Sequence, residues 1–299
     1  MAKKNQSGKS KKKRKEIPKL ELVHEEKLYR LIPDRNESSR LEASGVALYD
    51  DSTALVIFDN LNWVAAIDLS FKNQKANKLF PAPSLSLGFE DIAIDRRHNH
   101  FFCLIEQLED FDGNLCGFVA EYDKDGKFMN CTRLPTTFKD ANKGFEGLAH
   151  IWIEDTEYLY ALCEGNMGTS AKSGGGRIDV FTRSGDGNWK LSHHLSVPME
   201  AEFEDYAALS YRDGQIAIVS QASARIWVAR IDEQVRGVVP GSGTVYRFPN
   251  KSYGNIEGIT WLSPNTLVAV SDRKKKNQPL HFSEKDQSIH IFRIPERAY

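Results

Sequence analysis

The chain has 299 residues, 40% hydrophobic and 27% charged, which is enough apolar material for a large core in one or two domains. Its 21 glycines and 11 prolines are ordinary proportions and exclude collagen-like or low-complexity character for the body of the chain. The formal net charge of −1 conceals an asymmetry: Lys3, Lys4, Lys9, Lys11, Lys12, Lys13, Arg14 and Lys15 face one acid, Glu16, so the remainder carries about −8 and offers no case for binding nucleic acid.

Residues 1–20 read as a basic, disordered tail ahead of a single domain over 21–299. The tail holds no apolar stretch, so it reads as neither a signal peptide nor an anchor. No other segment approaches 18 apolar residues, so no membrane partner is expected. Cys103, Cys116, Cys131 and Cys163 form no CxxC pair and have no histidine at a zinc-site spacing. Together these features point to a reducing cytoplasm.

The first predicted strand, Lys27 to Ile32, ends at Pro33 and stands apart from the later strands. Then five segments open alike, each with an apolar residue followed by Glu: Leu41-Glu42, Phe89-Glu90, Phe145-Glu146, Phe203-Glu204 and Ile256-Glu257. About fifteen to eighteen residues after each Glu, a β-branched or aromatic run ends in a polar residue: Asp59, Glu106, Glu164, Gln221 and Asp272. Polar turns such as Tyr49-Asp50-Asp51-Ser52 and Arg212-Asp213-Gly214 make each such pair a hairpin. A third strand comes next in every unit: Trp63 to Leu69, Gly117 to Tyr122, Arg177 to Thr182, Arg225 to Ile231 and Ile289 to Ile294. A fourth ends near proline at Pro81, Pro135, Pro198 and Pro249, as suits an outer edge strand that lacks one donor.

Only four of these outer strands come after a third strand. The fifth copy is the one upstream, at Lys27 to Ile32, where it completes the blade whose inner strands run from Asn255 to Pro295. The predicted fold is all-β: a five-bladed β-propeller of four-stranded blades, closed by an N-terminal strand that completes the C-terminal blade. A β-sandwich also accommodates short strands and turns, but gives no reason for an ordered quartet repeated five times with one member displaced.

First strands of a propeller line its channel, so Glu42, Glu90, Glu146, Glu204 and Glu257 are expected to converge, with Asp59 and Asp272 beside them as further metal ligands. Carboxylates brought together must gain protons, pair with cations or hold a metal. An all-oxygen set without His or Cys favours a hard ion, and Ca²⁺ tolerates irregular oxygen shells better than Mg²⁺. Glu164 and Glu106 are the candidate general bases, and Arg273, Lys143, Asn166 and Asn60 the candidate contacts to a small anionic ligand. A repeated Glu can equally cap strand backbone or pair with loop cations. Asp91 and Asp205 are expected to bond loop backbone. No GxSxG elbow is present, and no histidine has a Ser or Cys partner recognisable in the sequence. Trp152, Trp189, Trp227 and Trp261 read as core between blades.

The segments Lys143-Gly144-Phe145-Glu146-Gly147-Leu148-Ala149, Leu159 to Asn166 and Gly176 to Phe181, with Ile256 to Thr260 and Leu267 to Arg273, resemble the β-propeller family labelled esterase-like activity of phytase. The resemblance covers roughly Glu42 to Pro295. It implies a propeller, a divalent metal and a phosphoester or carboxylester substrate. A more distant similarity is to calcium-activated nucleotidases, five-bladed propellers with carboxylates around a central Ca²⁺. Two functions are expected on these grounds: a metal-dependent hydrolase acting at the channel mouth, or a non-catalytic propeller with structural calcium whose top face binds a ligand or protein.

Overall fold

Runs such as Ala54-Leu55-Val56-Ile57-Phe58 are apolar at every position, which means a strand buried on both faces. The computed structural model shows what covers them. It describes residues 16–72, 74–85, 88–139, 143–165, 174–201, 203–232 and 237–296. Residues 1–15, with the basic cluster, lie outside the described residues, as does Asn166.

In chain order, β1 (Glu21–Lys27) leads into a helical turn, α1 (Leu28–Leu31). Blade one is β2 (Ala43–Leu48), β3 (Thr53–Phe58), β4 (Leu61–Asp68) and β5 (Lys78–Pro81). Blade two is β6 (Ile92–Asp95), β7 (His100–Glu109), β8 (Leu115–Asp123) and β9 (Phe128–Phe138). Blade three is β10 (Phe145–Ile153), β11 (Thr156–Cys163), β12 (Arg177–Arg183) and β13 (Trp189–Ser196). Blade four is β14 (Ala208–Arg212), β15 (Gln215–Ser220) and β16 (Arg225–Asp232), with β17 (Gly237–Val238) and β18 (Thr244–Arg247) both paired to β16. Blade five is β19 (Ile256–Ser263), β20 (Thr266–Ser271) and β21 (Ser288–Arg293), completed by β1. Every pairing within the blades is antiparallel.

Five blades in a ring have five interfaces, and the buried side chains fall into five apolar clusters, one at each. Alternation divides each strand between two of them. Ala54, Val56 and Phe58 face blade five, while Leu55 and Ile57 face blade two. Trp189, Trp227 and Trp261 are buried at such interfaces, whereas Trp152 is partly exposed with the Arg97 guanidinium 3.9 Å from its ring centre.

The closing strand differs from the sequence reading in its limits. Lys27 to Ile32 is not the strand: Glu21–Lys27 pairs with β21, and the next residues coil into α1, burying Leu28, Leu31 and Ile32 between blades five and one. The alternation of Leu28, Arg30 and Ile32 fits an edge strand, but those apolar groups gain more contact by turning inward. Upstream, Leu20 is buried between blades four and five, and its N–H donates to the Arg247 carbonyl. No helix among the described residues is long and apolar enough to cross a membrane.

Near the axis the inner strands approach too closely for side chains. A Cβ on Gly147 would lie 2.7 Å from the Leu209 backbone nitrogen, and one on Gly258 would lie 2.8 Å from Gly45 Cα. Gly147→Ala is therefore expected to destabilise the protein by about 1–3 kcal/mol, read from its urea midpoint; an unchanged midpoint would show that the inner strands yield at no cost.

Candidate metal centre

The apolar-Glu motif meets the strand ladder in two ways. In blades three and five the register shifts between Phe145 and Gly147 and between Ile256 and Gly258, so Glu146 and Glu257 are bulged residues, taken out of the alternation that would otherwise assign them to a blade face. In blade two Glu90 N–H donates to the Leu104 carbonyl at 2.9 Å, holding it at the first rung of the sheet. Blade four starts two residues later relative to its motif: pairing begins at Ala208, against Ile92 in blade two. Glu204 consequently sits outside the ladder, exposed, with its N–H donating to Ser223 Oγ at 2.9 Å.

One oxygen-rich centre results. Ligand atoms of Glu106, Glu146 and Glu164 lie within 4.8 Å of one another. Burial, then the charges of Asp59 and Glu106, push the Glu90 carboxyl up to about 8. Burial, then Glu90 and Glu106, raises Glu146 well above the usual carboxylate range, and burial and Asp272 do the same to Glu257. Glu106 is pushed up to about 6 by burial and by Glu164, and Asp272 to about 6 chiefly by burial. Asp59 is raised by burial and by Glu42. The common cause is burial, reinforced by like charge, and few cations offset it. Lys143 Nζ lies 2.9 Å from Glu164, Arg40 Nη2 lies 2.6 Å from Glu42, and Lys275 Nζ lies 3.5 Å from Asp272 and 3.9 Å from Glu257.

The structure thus brings together Glu42, Asp59, Glu90, Glu106, Glu146, Glu164, Glu257 and Asp272, with Lys143 at the margin. The Asp205 carboxyl beside Glu204 is raised by burial and, to a lesser degree, by the Glu204 charge. Arg273 is exposed, and its backbone N–H donates to Asp272. Asn60 is engaged with backbone, accepting from Glu42 N–H at 3.3 Å and donating to the Arg40 carbonyl at 3.2 Å. Gln221, which breaks the acidic pattern of the second strands, donates through Nε2 to Glu257. Asp91 and Asp205 bond backbone: Asp91 accepts Ile92 N–H and, across to blade three, Leu148 N–H at 2.7 Å, while Asp205 accepts Ala222 N–H.

Sequence reasoning passed over Lys275 and Arg40. Lys275 stands three residues after Asp272, within the basic run Arg273 to Lys276, and Arg40 stands two residues before Glu42. An acid with a cation two or three residues away was the available signal.

The centre fits a hard cation. Its donors are carboxylate oxygens, and Glu164, one of the three, has its Oε2 buried without a hydrogen-bond partner. The other end of the inner strands is different in kind: Val46, Ile92, Leu148, Leu209 and Ile259 line a cavity of about 420 Å³ rimmed by Arg96, Arg97 and Arg212.

These features define the class: a five-bladed β-propeller with a carboxylate centre at one mouth of its channel. No protein-family model matches the chain, and no curated protein does. Among solved structures it is similar to the PQQ-bound aldose sugar dehydrogenase of Streptomyces coelicolor, with 11% identity over 92% of this chain and 97% of that one and a TM-score of 0.53. It is also similar to the glutaminyl cyclase of Myxococcus xanthus, with 11% identity over 93% and 98% and a TM-score of 0.50. At such identities the likeness is one of fold.

Proposed function

We propose that the protein is a calcium-binding β-propeller that hydrolyses a phosphoester or carboxylester at the acidic mouth. The observation that carries this reading is the Glu106, Glu146 and Glu164 set, mutually within 4.8 Å, with Glu164 Oε2 buried and unpartnered. Its likeness to the phytase-like propellers around Phe145–Glu146–Gly147 supports the same reading. Glu146, Glu164, Glu90 and Glu257 would hold the ion, with Asp59 and Asp272 beside them. Bound calcium supplies a Lewis acid for a phosphoryl or carbonyl oxygen. Glu106, pushed up to about 6, is suited to take a proton from water near neutral pH. Lys143, half-exposed beside Glu164, is placed to meet an anionic substrate group.

The test is a calcium titration of the full chain by calorimetry, then turnover of p-nitrophenyl phosphate, bis(p-nitrophenyl) phosphate and p-nitrophenyl acetate with and without chelator. Glu146→Gln is expected to abolish both calcium binding and turnover. Glu106→Gln is expected to keep the ion and lose roughly 10²–10⁴-fold in kcat. Calcium binding without turnover of any ester would replace the hydrolase with a binding module, and absence of a bound divalent ion would remove the centre altogether.

A further inference from the structure

The end of the channel away from the carboxylate centre carries a second group of titratable side chains, between blades two and three, that the proposed hydrolysis does not use. Asp95 closes β6, and the turn to β7 brings His98 back so that its Nδ1 lies 2.7 Å from Asp95 Oδ2. Asp95 Oδ1 accepts Trp152 Nε1–H at 3.0 Å and Arg97 N–H at 2.9 Å. On the neighbouring strands His150 Nε2 lies 3.0 Å from Glu157 Oε1, and His100 Nδ1 lies 3.0 Å from Glu121 Oε1. Arg183 reaches Glu121 Oε2 at 2.6 Å and Glu157 Oε1 at 3.4 Å.

Two features set this group apart from a surface ion-pair network. The side chains of Asp95, Glu121, Glu157 and His150 are all 10% exposed or less, and the Arg183 guanidinium pairs with Glu121 and Glu157; the Arg97 guanidinium lies on the Trp152 ring and bonds the Glu154 carbonyl instead. Three buried carboxylates face one guanidinium and three imidazoles, so a divalent ion bound here would take the place of imidazole protons as their counter-charge. In addition, ligand atoms of Asp95, His150 and Glu157 lie within 4.8 Å of one another, and His150 belongs to the stretch of inner strand along the 420 Å³ cavity.

We propose that Asp95, His150 and Glu157 form a second metal centre, specific for a borderline divalent ion of the Zn²⁺ or Co²⁺ type, at the channel end opposite the calcium centre. The imidazole is what separates the two: a nitrogen donor favours first-row transition ions, whereas the first centre offers oxygen alone. Each liganding carboxylate already has an outer partner that fixes it, Trp152 Nε1–H and His98 for Asp95, and Arg183 for Glu157. Three protein ligands leave a coordination position for water.

The experiment uses the full chain, stripped with chelator and refilled with Ca²⁺, then titrated with Co²⁺. The expected result is one Co²⁺ per chain with visible d–d absorption, displaced by Zn²⁺, and paramagnetic shifts of the His150 ring protons in the unmodified protein. His150→Gln is expected to weaken Co²⁺ binding at least tenfold, Glu157→Gln likewise, while Glu146→Gln leaves it unchanged, so failure of either centre is read separately. Circular dichroism of each variant shows whether it folds, and the histidine shifts need no variant. Absence of stoichiometric Co²⁺, or Co²⁺ binding that leaves the His150 signals unshifted, would overturn the proposal; the charge would then be balanced by protons on the imidazoles.

Discussion

Raising the pH from about 5 to about 8 in the presence of chelator is expected to lower the melting temperature by roughly 5–15 °C, and calcium is expected to restore it. Glu90 is pushed up from 4.5 to about 8, Glu106 to about 6 and Asp272 from 3.8 to about 6, while Glu146 and Glu257 are raised further by burial and by one another's neighbours. The unfolded chain releases these protons near the ordinary carboxylate values. Across the window from there to about 8, the metal-free folded state therefore holds more protons than the unfolded one, and stability falls as the pH rises. Summed over several groups the loss is on the order of several kcal/mol. Calcium binds the ionised form, so its stabilising effect is expected to be small at pH 5, where it competes with protons, and large at pH 8. Differential scanning calorimetry with chelator or calcium at the two pH values checks this. A calcium shift of equal size at both would mean that the ion binds elsewhere.

Glu25→Ala is expected to destabilise the protein by about 1–3 kcal/mol and to release the closing strand locally. Glu25 lies on β1 and faces three groups of blade five and its preceding loop. Its carboxylate pairs with Lys285, lies 3.2 Å from His290 Nδ1 and accepts from Tyr253 Oη at 3.1 Å. His290 is fully buried, its other ring nitrogen 3.0 Å from Ser271 Oγ, and Lys285 is largely buried. Removing the carboxylate leaves a partly buried ammonium and a buried imidazole without their acceptor. The hydrogen bond from His290, with Lys285 and against the opposing effect of burial, holds Glu25 down to about 2. The stability it contributes is thus fully present above about 4.5 and is lost as the pH falls toward 2, a window opposite in sign and separate from that of the carboxylate centre. Hydrogen exchange should quicken in β1 and β21 of the variant while the amides of β10 to β12 keep their protection. A uniform loss of protection would contradict the local release of the strand.

The order of strands was legible because it is carried by local pattern. Apolar runs of strand length separated by turn residues recur after each apolar-Glu pair, and the displaced outer strand before Leu41 left ring closure as the economical arrangement. Even there, the limits of the closing strand were not readable. Leu28 and Leu31 turn inward as α1 because the cleft between blades five and one accepts them, and one wall of that cleft, Val268, Val270, Ile289 and Ile291, comes from the far end of the chain.

The candidate site was readable as a set of positions and not as a set of contacts. Five matching glutamates predict convergence, but Glu204 departs because β14 begins pairing two residues later than β6 does, while bulges carry Glu146 and Glu257 toward the centre. The placement of Lys275 over Asp272 and Glu257, the backbone role of Asn60, and the grouping of Asp95, His150 and Glu157 depend on which strands lie side by side. The sequence by itself determined the five-fold period, the single displaced strand and the acidic residue at the head of each blade, since each is written in neighbours along the chain. Tertiary structure alone decided which of those acids share one partly buried mouth, because burial and mutual repulsion are properties of distance between blades.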